Sequence, residues 1–389
     1  MPGHSVGLSA VEAVDTLWLM GADREVGQAV DWIKAHLDFD VDARFQVFET
    51  NIRMVGGLAA AHHCTGDPRL LELAVDVADR LLPAFTRSPT GLPYRYVNLA
   101  TAEVSEPETN IVEVGTYVAE FGVLSEWTGD RRYFDLAKQA MRVVFDKRTE
   151  LGLLPHDIHA ETGEWRNRIA TVGPPGDSYY EYLWDGFALF GDEELRQWYE
   201  VLTGAILEHQ GEVHDGLLWF PRVDAFTGEV VDRGQSVLAS FYAGLLGESG
   251  HVEQGRRYHD AWNAAQERFG VLPTELDYRS MSAPDPSNAL RPEFADSALM
   301  LWLATRDEVF RERAHTHFRN MVRASKAKYG YASLADVTAK PPRQEDTCPG
   351  YWWSEQMKYY WLLFSDTPRF DYRKNYLSTE ANVLRGAIR

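Results

Sequence analysis

The chain has 389 residues, 45% hydrophobic, 25% charged and 12% aromatic. That is long enough for one large or two ordinary domains and too apolar for disorder or a collagen-like chain. Charges interrupt every apolar stretch, and the longest clean run, Ala298 to Ala304, is far short of the ~20 residues of a membrane span, so no membrane partner is expected. The 39 Lys and Arg against 58 Asp and Glu leave a net charge of −19, which repels phosphate backbones. Nucleic acid is therefore excluded as a partner, and a neutral or cationic ligand, or a metal, fits better.

Met1 to Met20 has no basic start and carries Glu12 and Asp15 inside its apolar pattern, so it is not a secretory signal. No Asn-x-Ser/Thr acceptor occurs. Localisation stays open, and a bacterial source or a trimmed secreted form is the expectation. Cys64 and Cys348 are too few for a disulfide framework and lack zinc-site spacing, so both are expected as small buried hydrophobes.

The chain carries an internal repeat. Cys64-Thr-Gly-Asp-Pro-Arg-Leu-Leu-Glu-Leu-Ala74 and Trp127-Thr-Gly-Asp-Arg-Arg-Tyr-Phe-Asp-Leu-Ala137 match at six of eleven positions, 63 residues apart. Gly/Asp-type punctuation recurs at Gly21-Ala-Asp23, Gly66-Asp67, Gly129-Asp130, Gly191-Asp192, Gly247-Glu248, Arg306-Asp307 and Ser365-Asp366. A Gly that ends one helix and an Asp that caps the next make the tip of a helical hairpin.

Segments before these turns, such as Val112 to Ser125 and Ser297 to Ala304, are apolar nearly all round and predict buried inner helices. Segments after them, such as Arg69 to Leu82 and Arg131 to Arg148, are amphipathic and predict an outer layer. Pro-bearing returns at Gly91-Leu-Pro93, Gly152 to Pro155, Gly216 to Pro221 and Gly270 to Pro273 predict short extended or hairpin loops at one end. The last inner helix, Tyr351 to Phe364, lacks an obvious outer follower, giving seven inner and six outer helices. The reading is a single all-α domain over residues 1–389, an (α/α)7 barrel or toroid with one outer helix missing at the N-terminus. An open solenoid is the alternative.

The inner-helix starts carry acids: Glu49, Glu113, Asp177 with Glu181, Glu293 with Asp296, and Glu355. A single carboxylate there gains ~0.3–1 kcal/mol from the helix dipole. Five starts converging on one mouth repel each other unless protons, a cation or a substrate compensate, as acid/base or metal-assisted chemistry requires. Arg53, Arg291, Tyr179, Tyr180, Tyr351, Trp352 and Trp353 lie at the same starts, and aromatic faces with charged groups for hydroxyls suit a carbohydrate. Of the adjacent Trp352 and Trp353, one is expected to face the lumen.

Leu8 to Gly21, Val47-Phe-Glu-Thr-Asn-Ile-Arg-Met-Val-Gly-Gly57, Asp177-Ser-Tyr-Tyr-Glu-Tyr-Leu183, Arg291-Pro-Glu293, Ser354-Glu-Gln-Met-Lys-Tyr-Tyr-Trp-Leu-Leu-Phe364 and Ser378-Thr-Glu-Ala381 resemble the signature blocks of glycoside hydrolase family 47, the class I α-1,2-mannosidases. The blocks run through nearly the whole chain in the family's order. The resemblance implies an (α/α)7 barrel and inverting hydrolysis of terminal α-1,2-linked mannose, assisted by Ca2+. By motif, Glu49 matches the general acid, Glu293 the general base and Asp177 the third catalytic carboxylate. Whether Glu49 or Asp177 delivers the proton stays open, since a proton relayed through water suits Glu49 equally.

The resemblance further implies that Thr379 gives carbonyl and hydroxyl oxygens to calcium, with waters held by Asp296, Glu355 and Glu380. Arg53, Arg291 and Tyr351 would hold the sugar, with Glu181 and Glu275 behind them. The sequence departs from the family at the fourth inner helix, Gln235 to Phe241, which lacks the usual His and looks more like the degradation-enhancing branch. It departs also at Asp296, where Glu is usual, and in the compact loop from Pro273 to Arg291. The expected partner is a mannose-containing oligosaccharide, and the expected state a monomer. A mannose-glycan-binding protein with weakened catalysis is the second reading. A sugar epimerase is the third, and would need paired His at the mouth, whereas His62, His63, His156 and His159 lie in returns or helix ends.

Overall fold

A computed structural model describes residues 7–365, 369–372 and 374–385. They pack as two compact units. One holds residues 7–168, 178–203 and the described residues from 369 on, and the other holds 169–177 and 204–365.

Helical hairpins build the first unit. Leu8–Leu19 is followed by Asp23–His36, Gly56–Thr65 by Pro68–Thr86, and Val118–Thr128 by Arg132–Asp146; the helix Asp177–Phe190, from Ser178 on, is followed by Glu193–His209 up to Thr203. The repeated Thr-Gly-Asp sets each tip by local chemistry. Gly66 and Gly129 take left-handed φ of 72° and 76°, which glycine adopts without a Cβ clash. The hydroxyls of Thr65 and Thr128 accept the N–H of Asp67 and Asp130. Those aspartates in turn accept the N–H of Arg69 and Arg132; Asp67 thereby caps its helix, and Asp130 binds one residue ahead of the N-cap Arg131.

Inner helices are buried throughout, as in Val118 to Ser125. The Pro68–Thr86 helix buries one stripe that includes Leu70, Leu73, Val77 and Leu81. Two ladders precede inner helices here. Arg44–Gln46 pairs with Tyr96–Asn98, and Glu108–Asn110 pairs with Asp157–His159.

The second unit repeats the scheme with Tyr242–Glu248 and Val252–Phe269, then Glu293–Thr305 and Glu308–Ser325, then Met357–Phe364. Gly234–Ser236 pairs with Glu275–Asp277 and leads into the 3-10 turn Val237–Phe241. Of the expected returns, Gly216 to Pro221 falls in the hairpin of Glu212–His214 and Leu217–Trp219, and the other three lead as non-strand chain into Tyr96–Asn98, Asp157–His159 and Glu275–Asp277. At the Thr305-Arg306-Asp307 tip, Arg306 holds φ 57° in the glycine position while Asp307 still caps through the Val309 N–H.

Three details differ from expectation. The fifth turn falls after Glu248, at Ser249 to His251 with Gly250 at φ 95°, because Gly247 packs inside the helix against Leu301. The run from Val112 to Ser125 breaks at Thr116 and Tyr117. Cys348 is exposed and Cys64 half-buried, so neither belongs to the apolar interior. Of the seventh turn, Asp366 lies outside the described residues. Trp352 joins the core of Val271, Leu290, Met321 and Leu334, while Trp353 is 45% exposed. Among the described residues no helix is long and apolar enough to cross a membrane.

Candidate functional site

In the first unit the chain from Val47 to Thr65 is one helical run containing a π turn, Thr50–Val55. Glu49 and Arg53 stand one turn apart on it. Arg53 Nε lies 2.6 Å from Glu49 Oε2, and its Nη1 lies 3.0 Å from Glu12 Oε1 and 2.9 Å from Glu380 Oε2. Burial alone would lower the Arg53 pKa, but Glu380, Glu49 and Glu12 outweigh it and hold the guanidinium well above its ordinary value. Glu12 is the member that motif reading misses, although an acid in an apolar stripe is its visible signal.

The π turn has a structural partner. The Gly56 N–H reaches the carbonyls of Asn51 and Arg53, and the Ile52 carbonyl between them accepts from Asn382 Nδ2 at 3.0 Å. Asn382 belongs to the hairpin of Asn375–Leu377 and Val383–Arg385, whose tip carries Thr379 and Glu380. Asp15 Oδ2 accepts the Val383 N–H at 3.0 Å. The tip is therefore pinned to the first helix and to the π turn at once. Among the described residues the buried Thr379 Oγ1 has no hydrogen-bond partner, and it is a hard oxygen donor of the kind calcium takes. Among the described residues no group of three His, Cys, Asp or Glu could hold a metal directly.

Glu120, Glu113 and Glu181 also lie in this unit. Glu120 is fully buried and accepts from Tyr182 Oη at 2.8 Å and Asn51 Nδ2 at 2.9 Å. Burial pushes its pKa up to about 8 despite those donors. Glu113 is held by Gln46, Thr109 and Arg95 at 2.8, 3.0 and 2.9 Å. Glu181 lies half-buried on the Asp177–Phe190 helix.

In the second unit Glu293 opens the Glu293–Thr305 helix behind Pro292. Arg291 Nη1 is 3.9 Å from Glu293 Oε1, and its guanidinium lies 4.9 Å from the centroid of the Tyr351 ring. Tyr351 Oη donates to the Ala289 carbonyl at 2.7 Å. Leu290 holds a positive φ of 59°, a strained conformation for a leucine. Asn288 fixes this loop by exchanging backbone bonds with Leu334 and donating its Nδ2 to the Leu272 carbonyl. The Arg291-Pro-Glu293 corner is thus held from both sides.

Asp296 lies one turn on from Glu293. Burial pushes its carboxyl well above the ordinary range, with Glu248 and Glu293 adding repulsion. Glu355 is buried in a second π turn, Trp352–Gln356. Asp177 is half-buried at the first position of its helix. Glu275 pairs with Arg222 Nη2 at 3.4 Å, and Arg222 also holds Asp232 at 2.6 Å. The structure thus joins Glu49, Arg53 and Glu380 in one unit and Arg291, Glu293 and Tyr351 in the other, and gives Glu275 to a strand cluster.

Comparison with known proteins points the same way. The family model described as glycosyl hydrolase family 47 matches residues 2–386. Alpha-mannosidase I MNS5 of Arabidopsis thaliana is 33% identical over 387 residues, covering 96% of this chain and 66% of that protein. The ER degradation-enhancing alpha-mannosidase-like protein 2 of Homo sapiens is 31% identical, covering 93% of this chain and 64% of that protein. The chain thus spans somewhat under two thirds of the length of these curated relatives. The solved alpha-1,2-mannosidase from Trichoderma reesei aligns with a TM-score of 0.88 at 22% identity, over 98% of this chain and 90% of that one. That likeness establishes the fold as the helical (α/α)7 barrel.

Proposed function

The chain belongs to glycosyl hydrolase family 47, and from that premise we propose that it is a calcium-dependent, inverting α-1,2-mannosidase. It would act as a monomer and as one catalytic domain over residues 1–389, releasing terminal mannose from mannose oligosaccharides or glycans. One observation carries the reading. Arg53 gathers Glu49, Glu12 and Glu380 beside Thr379, whose hydroxyl oxygen is buried and unsatisfied. Carboxylates collected around a guanidinium next to a bare oxygen donor suit a polyhydroxylated substrate and a cation better than they suit packing.

Inversion requires an acid at the leaving oxygen and a base on water at the opposite face, with about 6.5–9.5 Å between the two carboxyls. Glu293 is assigned the base, with Arg291 beside it. Either Glu49 or Asp177 delivers the proton. A proton delivered from Glu49 would pass by way of a water. Arg53, Arg291 and Glu181 are assigned to the sugar hydroxyls and Tyr351 to the ring face, while Glu275 acts at one remove through Arg222.

Thr379 would hold calcium through its carbonyl and hydroxyl oxygens, and Asp296, Glu355 and Glu380 would orient the waters around it. When bound, that ion would supply a positive charge that takes sugar hydroxyl oxygens as ligands. Proton NMR of α-1,2-mannobiose turnover tests the whole reading. β-Mannose should appear first, and a chelator should stop its release. First release of α-mannose would refute inversion, and chelator-insensitive turnover would refute the metal. A chain that binds the disaccharide without cleaving it is a glycan-binding protein instead.

A further inference from the structure

We propose that Glu12 is a positioning residue that clamps Arg53 so that Arg53 presents Glu49 to the substrate. The inference rests on the mannosidase reading above. The Leu8–Leu19 helix buries Val11, Val14 and Leu19 together with Glu12 and Asp15. Two acids on a buried apolar stripe are costly unless each is paired, and each has a defined task. Asp15 accepts the Val383 N–H, and Glu12 takes Arg53 at 3.0 Å.

The helix itself is fixed at the same level. A Cβ at Gly57 would stand 2.7 Å from Val11 Cγ1, so the bare glycine lets the first helix lie directly on the run that carries Glu49 and Arg53. Glu12 therefore reaches Arg53 from a rigid support.

Geometry then assigns distinct jobs to the three carboxylates. Arg53 Nη1 lies between Glu12 and Glu380, whose side chains are 7% and 16% exposed, and its Nε faces Glu49, which is 44% exposed. A guanidinium is a rigid planar fork. Gripping Nη1 between the buried Glu12 and the half-buried Glu380 fixes the plane, and the fixed plane aims Nε at the most exposed of the three carboxylates. Glu12 also contributes charge. Without its anion, Arg53 would be shared by two carboxylates and Glu380 alone would hold Nη1.

The test uses the full calcium-loaded chain with α-1,2-mannobiose, comparing wild type, Glu12→Gln and Glu12→Asp. Loss of aim should lower kcat of Glu12→Gln by about tenfold or more, on the scale of known misplacement effects, with KM within about twofold. Glu12→Asp keeps the charge one methylene short, so it should recover kcat only in part. Wild-type kcat in folded Glu12→Gln, or a kcat loss matched by an equal rise in KM, overturns the proposal. Should Glu12→Gln fail to fold, Glu12→Asp decides alone, and wild-type kcat there overturns it. A wild-type chain that releases no mannose refutes the mannosidase reading, and with it the premise, before any variant is measured.

Discussion

Asn382 donates its side-chain amide to the Ile52 carbonyl at 3.0 Å across 330 residues of sequence, and Gly56 leaves room for it, since a Cβ there would stand 2.4 Å from the Asn382 amide nitrogen. The bond joins the Thr379–Glu380 tip to the π turn that carries Arg53. Asn382→Leu removes the donor and strands a buried carbonyl, so it should cost about 1–3 kcal/mol. Urea denaturation, with the slope unchanged from wild type, checks this.

Leaving-group dependence separates the carboxylate roles. Glu293→Gln should lower kcat by about 10²–10⁴-fold whatever the leaving group, because a base acts on water. A variant of the proton donor should lose as much on mannobiose yet recover on an aryl α-mannoside whose phenol departs without help. Measuring Glu49→Gln and Asp177→Asn on both substrates assigns the donor. Recovery of Glu293→Gln on the aryl substrate would contradict its role as base.

Glu120 should write a pH dependence into stability. Burial pushes its folded pKa from an ordinary 4.5 up to about 8, so the folded chain keeps a proton that the unfolded chain releases. The stabilisation is fully present below about pH 4.5 and is lost as pH rises through about 8, a decline of a few kcal/mol in order of magnitude. Glu120→Gln should be the less stable protein at pH 5, where one of the donors Tyr182 and Asn51 meets an amide N–H, and should show a flatter profile. Chemical denaturation at pH 5, 6.5 and 8 for both proteins checks it, and parallel profiles would contradict the assignment.

How much of the molecule is legible in its sequence depends on how local each cause is. The Thr-Gly-Asp tips depend on a glycine φ, a hydroxyl and an N-cap within four residues, so the hairpins and the alternation of inner and outer helices can be read directly. The π turns cannot, because the i+5 bond at Gly56 goes with an amide at position 382. The break at Thr116 is hidden by its apolar run. It is held by Asn51, which donates to the Thr116 carbonyl at 3.0 Å, and by the Thr116 and Ser178 hydroxyls, 2.9 Å apart. Glu49, Arg53 and Glu380 are found by motif, and their sharing of one guanidinium becomes visible only in three dimensions. Glu275 shows the converse, since a motif position cannot reveal that Arg222, 53 residues away, is its partner.

Thr379→Val gives the sharpest separation between a metal ligand and a structural turn residue. The substitution keeps shape and volume and removes only the hydroxyl, an oxygen buried without a hydrogen-bond partner. If that oxygen served packing alone, valine would be neutral or slightly stabilising, because a buried unsatisfied polar atom costs free energy. If it ligates calcium, the variant should bind the ion about tenfold or more weakly, and the stabilisation that calcium gives the wild type, about 2.7 kcal/mol at a hundredfold excess over Kd, should shrink by about 1.4 kcal/mol for each factor of ten. Thermal unfolding across a calcium titration reads this directly and needs no substrate. A wild-type melting temperature that ignores both chelator and calcium would remove the metal from the site, whereas a shift shared equally by Thr379→Val would place the ion elsewhere.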